Sequence, residues 1–289
     1  MRQECIVRFG KPELVGILTE ASPPEQSSKI SLLLLNAGML SRVGPNRLYV
    51  RLARAAQALG VTSLRFDFSG IGESPATHAN LEAEQFTLKE ALMAADFLRE
   101  DGSSHLVVCG MCSGAEVALR LLLDDPRVNH AVLVNPRFVD VRSVPKQWDL
   151  ANRRIARKHI LRRLLEADAW RNVLRGQSKL SRDGLLIGAK PQGACSPTSQ
   201  EPQVSQALDP APAMQRGQSL RLVLSDLDPH VNLYHQIVAP RLRSAGLHPK
   251  VTQLQRADHV LTLKHHQDQM IEAVLQDLRA LQFVAMPSP

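Results

Sequence analysis

Short apolar runs alternate with stretches of helical spacing along most of this chain. Residues 4–9 and 14–20 predict an opening β-hairpin, and 29–36 contain Ile-Ser-Leu-Leu-Leu-Leu, which reads as a buried strand. Residues 45–59 then place Leu48, Leu52, Ala55, Ala56 and Leu59 at helical intervals, with Gly60 as the stop. The pattern continues as a strand over 61–66, a long helix over 81–99, a strand over 105–109, a helix over 115–123 and a strand over 130–135 closed by Pro136. Near the end it resumes as strand 219–225, helix 231–244, strand 248–255 and helix 264–283. Strands alternating with helices predict an α/β fold, a mostly parallel sheet covered by helices on both faces.

Between these two blocks the rhythm changes. Residues 148–176 predict a helix with Leu150, Ile155, Ile160, Leu164, Leu165 and Leu174 on its apolar side, and Arg153, Arg154, Arg157, Lys158, Arg162 and Arg163 crowd the rest. Residues 189–217 are rich in Pro, Ser, Gln, Ala and Gly without periodicity, which predicts an irregular stretch. The expected organisation is a core of residues 1–136 and 218–289, with 137–217 as a basic helical cap inserted after a strand. Catalytic groups then belong at the carboxyl ends of the parallel strands.

The segment Gly110-Met111-Cys112-Ser113-Gly114 lies between a predicted strand and a predicted helix. Its spacing is that of the G-x-S-x-G nucleophile elbow, with cysteine in place of serine. Glycines at both ends permit a tight turn, and the helix N-terminus behind it favours a thiolate. A thiolate nucleophile needs a base, and the base needs a carboxylate to orient it. His259, in Arg256-Ala-Asp-His-Val260 between the last strand and helix, is the expected base. His230, His235, His265 and His266 sit in or beside helices and have weaker claims. Asp226 and Asp228 both follow strand 219–225, and Asp228 is favoured because it stands further past the strand end. An oxyanion hole would take the backbone N–H of Ser113 and one from Asn36-Ala37-Gly38-Met39, assigned to Met39. Asp67-Phe-Ser-Gly70-Ile-Gly72-Glu-Ser74 looks superficially like a phosphate loop, but no lysine or longer glycine pattern follows, so a structural turn is the better reading.

Charge and cysteine usage narrow the field. The net charge of +7 is concentrated: residues 137–220 hold 15 Lys/Arg against 7 Asp/Glu. This local excess suits either a solvated helix face or an anionic partner such as CoA or carrier-protein phosphates. The insertion lacks interleaved aromatics for base stacking and any recognised module, which argues against nucleic acid. No apolar run approaches the length of a membrane span, and no signal-peptide core opens the chain, so a cytoplasmic protein is expected. Cys5, Cys109, Cys112 and Cys195 do not form a secreted disulfide pattern. The C-x-x-C of Cys109 and Cys112 raises a redox reading, yet that leaves Gly114 and the late Asp and His unexplained. Neither a metal cluster nor a cofactor motif is expected.

The elbow, the 67–74 turn and the late Asp–His pair together resemble the α/β-hydrolase superfamily over nearly the whole chain. The closer resemblance is to serine-aminopeptidase-like hydrolases, including exosortase-system-associated hydrolases, through Asn36-Ala-Gly, Arg42-Val-Gly-Pro-Asn-Arg47 and Phe66-Asp-Phe-Ser-Gly-Ile-Gly-Glu-Ser74. The resemblance implies an eight-stranded sheet, a helical cap and a Ser/Cys–Asp–His triad. Cys112 and Asn36 depart from the pattern; dienelactone hydrolases and polyhydroxyalkanoate synthases are similar in carrying an elbow cysteine. Thiolate chemistry points to hydrolysis of esters or thioesters through an acyl-cysteine. The alternatives are acyl transfer from CoA or a carrier, or an inactive binding protein on the same fold.

Overall fold

The computed structural model describes residues 4–21, 28–76, 83–100, 105–138 and 208–285 of the chain. They contain an eight-stranded sheet: β1 (Glu4–Phe9), β2 (Leu14–Thr19), β3 (Ile30–Leu35), β4 (Thr62–Phe66), β5 (His105–Met111), β6 (Val128–Val134), β7 (Ser219–Ser225) and β8 (Lys250–Leu254). The order across the sheet is β1-β2-β4-β3-β5-β6-β7-β8. β1 pairs antiparallel with β2, and β2 antiparallel with β4; every other neighbouring pair is parallel. The fold is therefore the α/β architecture expected from the alternating pattern.

The helices are α1 (Leu48–Gln57), α2 (Ala83–Arg99), α3 (Ser113–Asp124), α4 (Ala211–Gln215), α5 (His230–Leu233), α6 (Ala239–Ser244) and α7 (Lys264–Ala285). All six residues of β3 are buried, because a central parallel strand is covered on both faces. On one face Leu32, Leu34, Val107, Cys109 and Val132 pack with Leu48, Leu52, Ala53 and Ala56 of α1 and with Met270, Val274 and Leu278 of α7. Leu33, Val108 and Leu133 alternate to the other face, where α2 and α3 pack. Cys109 lies wholly inside this core, and burial pushes its thiol up to about 12, which leaves it chemically inert.

The 67–74 segment is a structural turn. The buried Asp67 carboxylate accepts the backbone N–H of Arg42 at 2.6 Å and of Glu73 at 3.2 Å, and it pairs with the Arg42 guanidinium. Ser74 Oγ donates to the Asp67 carbonyl at 2.6 Å and accepts from Val15 N–H at 2.9 Å, which fastens the turn to β2. A side chain at Gly72 would start 2.2 Å from the Asp67 carboxylate, so the glycine is required by contact.

The structure departs from the sequence pattern in two places. Helix 231–244 is not continuous: a π-turn over Tyr234–Val238 separates α5 from α6. The irregular stretch expected over 189–217 is corrected at its end, where α4 forms. Ala211 and Ala213 are buried, α4 packs on α3 and β7, and Asp209 Oδ1 accepts the Ala211 N–H at 3.1 Å. Five residues are too few for helical periodicity to register. Gln218 Nε2 then donates to the carbonyls of Leu122 and Val128, at 2.8 and 2.7 Å. The compact unit around the sheet comprises Met1–Phe138 and Val204–Pro289. Helix 148–176 with its arginines, and residues 189–207, lie outside the described residues. Among the described residues no helix is long and apolar enough to cross a membrane.

At the amino ends of β6 and β7 lies a buried polar cluster. Asp277 of α7 accepts bonds from Arg221 Nε (2.5 Å) and Nη2 (2.8 Å) and from Lys250 Nζ (3.0 Å). It also meets His130 Nε2 at 2.9 Å, while His130 Nδ1 lies 2.6 Å from Ser219 Oγ. Burial opposes the charge on Asp277, but the bonds from Arg221 and His130 outweigh it and hold the carboxyl well below the usual range.

Candidate active site

The carboxyl ends of β3, β5, β6, β7 and β8 gather the chemistry. At the end of β5, Cys112 adopts φ 54 and ψ −122, a conformation rare for a residue with a side chain, and α3 starts at the next residue. The turn leaves no room for a side chain at either flanking glycine. A Cβ on Gly110 would stand 2.1 Å from the Gly114 carbonyl oxygen, and a Cβ on Gly114 would stand 2.4 Å from the carbonyl oxygens of Leu35 and Asn36. Cys112 N–H donates to the Val134 carbonyl at 2.9 Å, which ties the elbow to β6. Beneath it the buried Tyr49 hydroxyl donates to the Leu35 carbonyl at 2.7 Å and accepts the Met111 N–H at 3.1 Å.

His259 follows β8 and reaches both partners. Its Nδ1–H donates to Asp228 Oδ2 at 2.7 Å, and its imidazole lies close enough to the Cys112 thiol for each group to shift the other. Asp228 is buried, and its second oxygen accepts the His230 N–H at 2.9 Å. The bond to Asp228, and then the interaction with Cys112, push the His259 imidazole up to about 10 against the effect of burial. In turn the interaction with His259 outweighs burial and holds the Cys112 thiol below its usual range. The Ser113 N–H and the positive charge of Arg137 add to this. A lowered thiol and a raised imidazole both favour passage of the proton from Cys112 to His259.

The other sequence candidates fall into clear places. Asp226 Oδ1 accepts the Ala257 N–H at 3.2 Å, so this carboxylate braces the His259 loop from its backbone. The His230 ring stands edge-on to His259 with centroids 6.3 Å apart, and burial lowers its pKa. His235 is exposed, while His265 and His266 lie side by side at the start of α7 with rings tilted by 56°, and His266 Nε2 meets the Gln255 carbonyl at 3.0 Å. In the loop after β3, the Leu40 N–H bonds to the Ala37 carbonyl at 3.0 Å, which places Met39 inside a turn with its side chain 84% exposed. The neighbouring Gly38 N–H donates to Ser113 Oγ at 2.6 Å and moors this loop to the start of α3.

Two supporting residues escaped the sequence reading. Tyr49 falls inside the helix predicted over 45–59 but outside its named apolar stripe, and its hydroxyl partners are distant in sequence. Asn135, directly after β6, is buried with φ 47 and bonds to both β7 and the His259 loop. Asn before Pro136 at a strand end was the one local signal of an unusual backbone.

Residues 32–274 fit the sequence pattern of the Alpha/beta hydrolase family. No curated protein matches the chain. Among solved structures, an esterase of Pyrococcus furiosus superposes with a TM-score of 0.58 at 15% identity, over 96% of this chain and 90% of its own. A serine hydrolase without a lid from Xanthomonas campestris gives 0.56 at 14% identity, covering 99% and 97%. A proline iminopeptidase-related protein of Thermus thermophilus gives 0.52 at 22% identity, covering 98% and 100%. At these identities the likeness is one of fold.

Proposed function

The chain belongs to the Alpha/beta hydrolase family, and on that premise we propose that it hydrolyses ester or thioester bonds through a Cys112–His259–Asp228 triad and an acyl-cysteine intermediate. The observation that carries this reading is the thiol at a strained elbow, facing an imidazole that Asp228 holds at 2.7 Å. Within the family, the resemblance to serine-aminopeptidase-like hydrolases rests on residues 36–38, 42–47 and 66–74, and the elbow cysteine sets this chain apart from their serine.

In the acylation step the Cys112 thiolate attacks the substrate carbonyl carbon, a C–S bond forms and the carbonyl π electrons move to oxygen. The Ser113 N–H at the start of α3 and the Met39 N–H from the Ala37–Leu40 turn would receive that charge. The tetrahedral species collapses, the bond to the leaving oxygen or sulfur breaks, and the His259 imidazolium gives its proton to the leaving group. Neutral His259 next takes a proton from water, the hydroxide adds to the acyl carbon, and Cys112 departs as the thiolate. The carboxylic acid product leaves and the ion pair is restored. Asp228 keeps the Nδ1–H on the histidine and its Nε2 turned toward the reacting atoms.

An ion pair at rest suits oxygen and sulfur leaving groups, whereas amides require more forceful protonation of a poor amine leaving group. Intact-mass spectrometry after mixing the protein with a panel of acyl-CoA and p-nitrophenyl esters tests the proposal. The expected result is one added acyl group on Cys112, absent in Cys112→Ala. Equal turnover by wild type and Cys112→Ala would overturn it.

A further inference from the structure

Asn135 occupies a position that few side chains tolerate. Its φ of 47 lies in the left-handed region, which asparagine enters more readily than most residues. It is 2% exposed, so each polar atom of its amide needs a partner inside the protein. The amide has them. Nδ2 donates to Ser225 Oγ at 2.9 Å and to the His259 carbonyl oxygen at 2.7 Å, and Oδ1 accepts the Ser225 N–H at 2.8 Å. Its backbone N–H donates to the Val223 carbonyl at 2.9 Å. One short side chain thus joins the end of β6, the end of β7 and the loop after β8.

The loop it holds carries the base. Between β8 and α7 the backbone passes through left-handed conformations at Arg256 and Leu261. Asp226 braces it at Ala257, and Asp258 closes it onto Thr262 with a 2.8 Å bond to the backbone N–H. Among the described residues, Asn135 is the side chain that grips His259 at its own peptide group. We infer that Asn135 is a positioning residue for the base: by clamping the His259 carbonyl to the end of β7, it fixes the point from which the imidazole reaches Asp228 and Cys112 together. The inference rests on the triad reading above. Asn135 touches neither substrate nor the reacting sulfur; it acts through His259.

Two variants separate this role from simple packing. Asn135→Gly keeps the backbone freedom and removes the clamp. Asn135→Asp keeps size and tolerance of the left-handed region but turns an oxygen toward the His259 carbonyl where a donor stood. The readout is the rate of Cys112 alkylation by iodoacetamide across pH, followed by mass spectrometry at that cysteine, beside kcat and KM for a p-nitrophenyl ester and the melting temperature. With His259 displaced, the midpoint of alkylation should rise by about one pH unit as the thiolate loses its partner. In the same variants kcat should fall on the order of tenfold to a hundredfold with KM within about twofold. Asp226→Asn, which loosens the same loop away from His259, should leave the alkylation midpoint in place. A folded Asn135→Gly or Asn135→Asp with the wild-type alkylation midpoint, even with a lower melting temperature, would overturn the inference and reduce Asn135 to a packing residue. If wild-type Cys112 itself alkylates like an ordinary thiol, the ion-pair reading fails and the positioning role fails with it, a result distinguishable from the first because no variant is needed to see it.

Discussion

Two histidine–aspartate pairs sit at opposite ends of the same sheet, and each lies beside a residue able to act as a nucleophile. At the carboxyl ends, Asp228 holds His259 at 2.7 Å beside Cys112; at the amino ends, Asp277 holds His130 at 2.9 Å beside Ser219. Listed by residue type, the second set is the more familiar serine–histidine–aspartate combination. Its surroundings differ. Asp228 serves one imidazole and one backbone N–H, so its charge is available to the histidine. Asp277 is shared among His130, Arg221 and Lys250, so its charge is already matched by Arg221 and Lys250. Cys112 stands on a left-handed turn at the N-terminus of a twelve-residue helix, whereas Ser219 opens an ordinary strand. A triad of residue types becomes a reactive centre only where the nucleophile is lifted clear of the sheet and a field favours its anion.

The comparison breaks first at the nucleophile. Cys112→Ala should lower kcat by roughly a thousandfold or more, because residues acting as one unit fail together. Ser219→Ala should leave kcat within about twofold, since its hydroxyl only bonds to His130 and nearby backbone. Loss of ester turnover in Ser219→Ala, measured against Cys112→Ala under the same conditions, would reverse the assignment of the two ends. The carboxylates come next. Asp228→Asn should reduce kcat by about a hundredfold to ten-thousandfold, by favouring the wrong imidazole tautomer. Asp277→Asn should instead cost about 3–5 kcal/mol in denaturant unfolding, by leaving the buried Arg221 guanidinium unmatched, with kcat per folded molecule unchanged.

The two ends should also part along the pH axis. The folded state favours the charged form of Asp277, so its stabilising effect is complete above the ordinary carboxyl range and disappears as pH falls below it. The site behaves in the opposite sense at high pH. Turnover should rise as Cys112 loses its proton, earlier than a free thiol would, and decline as pH passes about 10 and His259 gives up the proton it donates. A rate profile that climbs only in the range of an ordinary thiol would mean that the pair is neutral at rest. The smallest effect belongs to Asp226→Asn, which weakens one 3.2 Å bond to Ala257; about 1 kcal/mol in stability and a change in kcat of no more than a few-fold are expected.

Much of the sheet could be read from the chain because its strands are continuous apolar runs. The six buried residues of β3 and the buried body of β5 have no other plausible home than the middle of a parallel sheet. The elbow was legible for a local reason: two glycines and the residue between them lie within five positions. His259 was legible from its place between strand 248–255 and helix 264–283. What escaped was held by contacts far apart in sequence. Tyr49 supports the elbow from 62 positions away, and Asn135 reaches His259 across 124. Neither leaves a periodic trace, because a single buried hydrogen bond needs only one suitable side chain at each end. Asp226 and Asp228 both follow β7, and only their distance past the strand end favoured Asp228; the turn between them sends Asp226 to a backbone amide and Asp228 to the imidazole.

The glycines at 110 and 114 also define a chemical instrument. A Cβ at either position would stand 2.1 or 2.4 Å from a backbone oxygen, so the turn depends on these two glycines and not on the atom that the elbow presents. The elbow is thus a socket, indifferent to the element mounted in it. Serine or selenocysteine at position 112 would place oxygen or selenium where sulfur now sits, before the same imidazole and the same helix. Three chalcogens on one unchanged mount would allow leaving-group preference to be measured as a property of the atom alone.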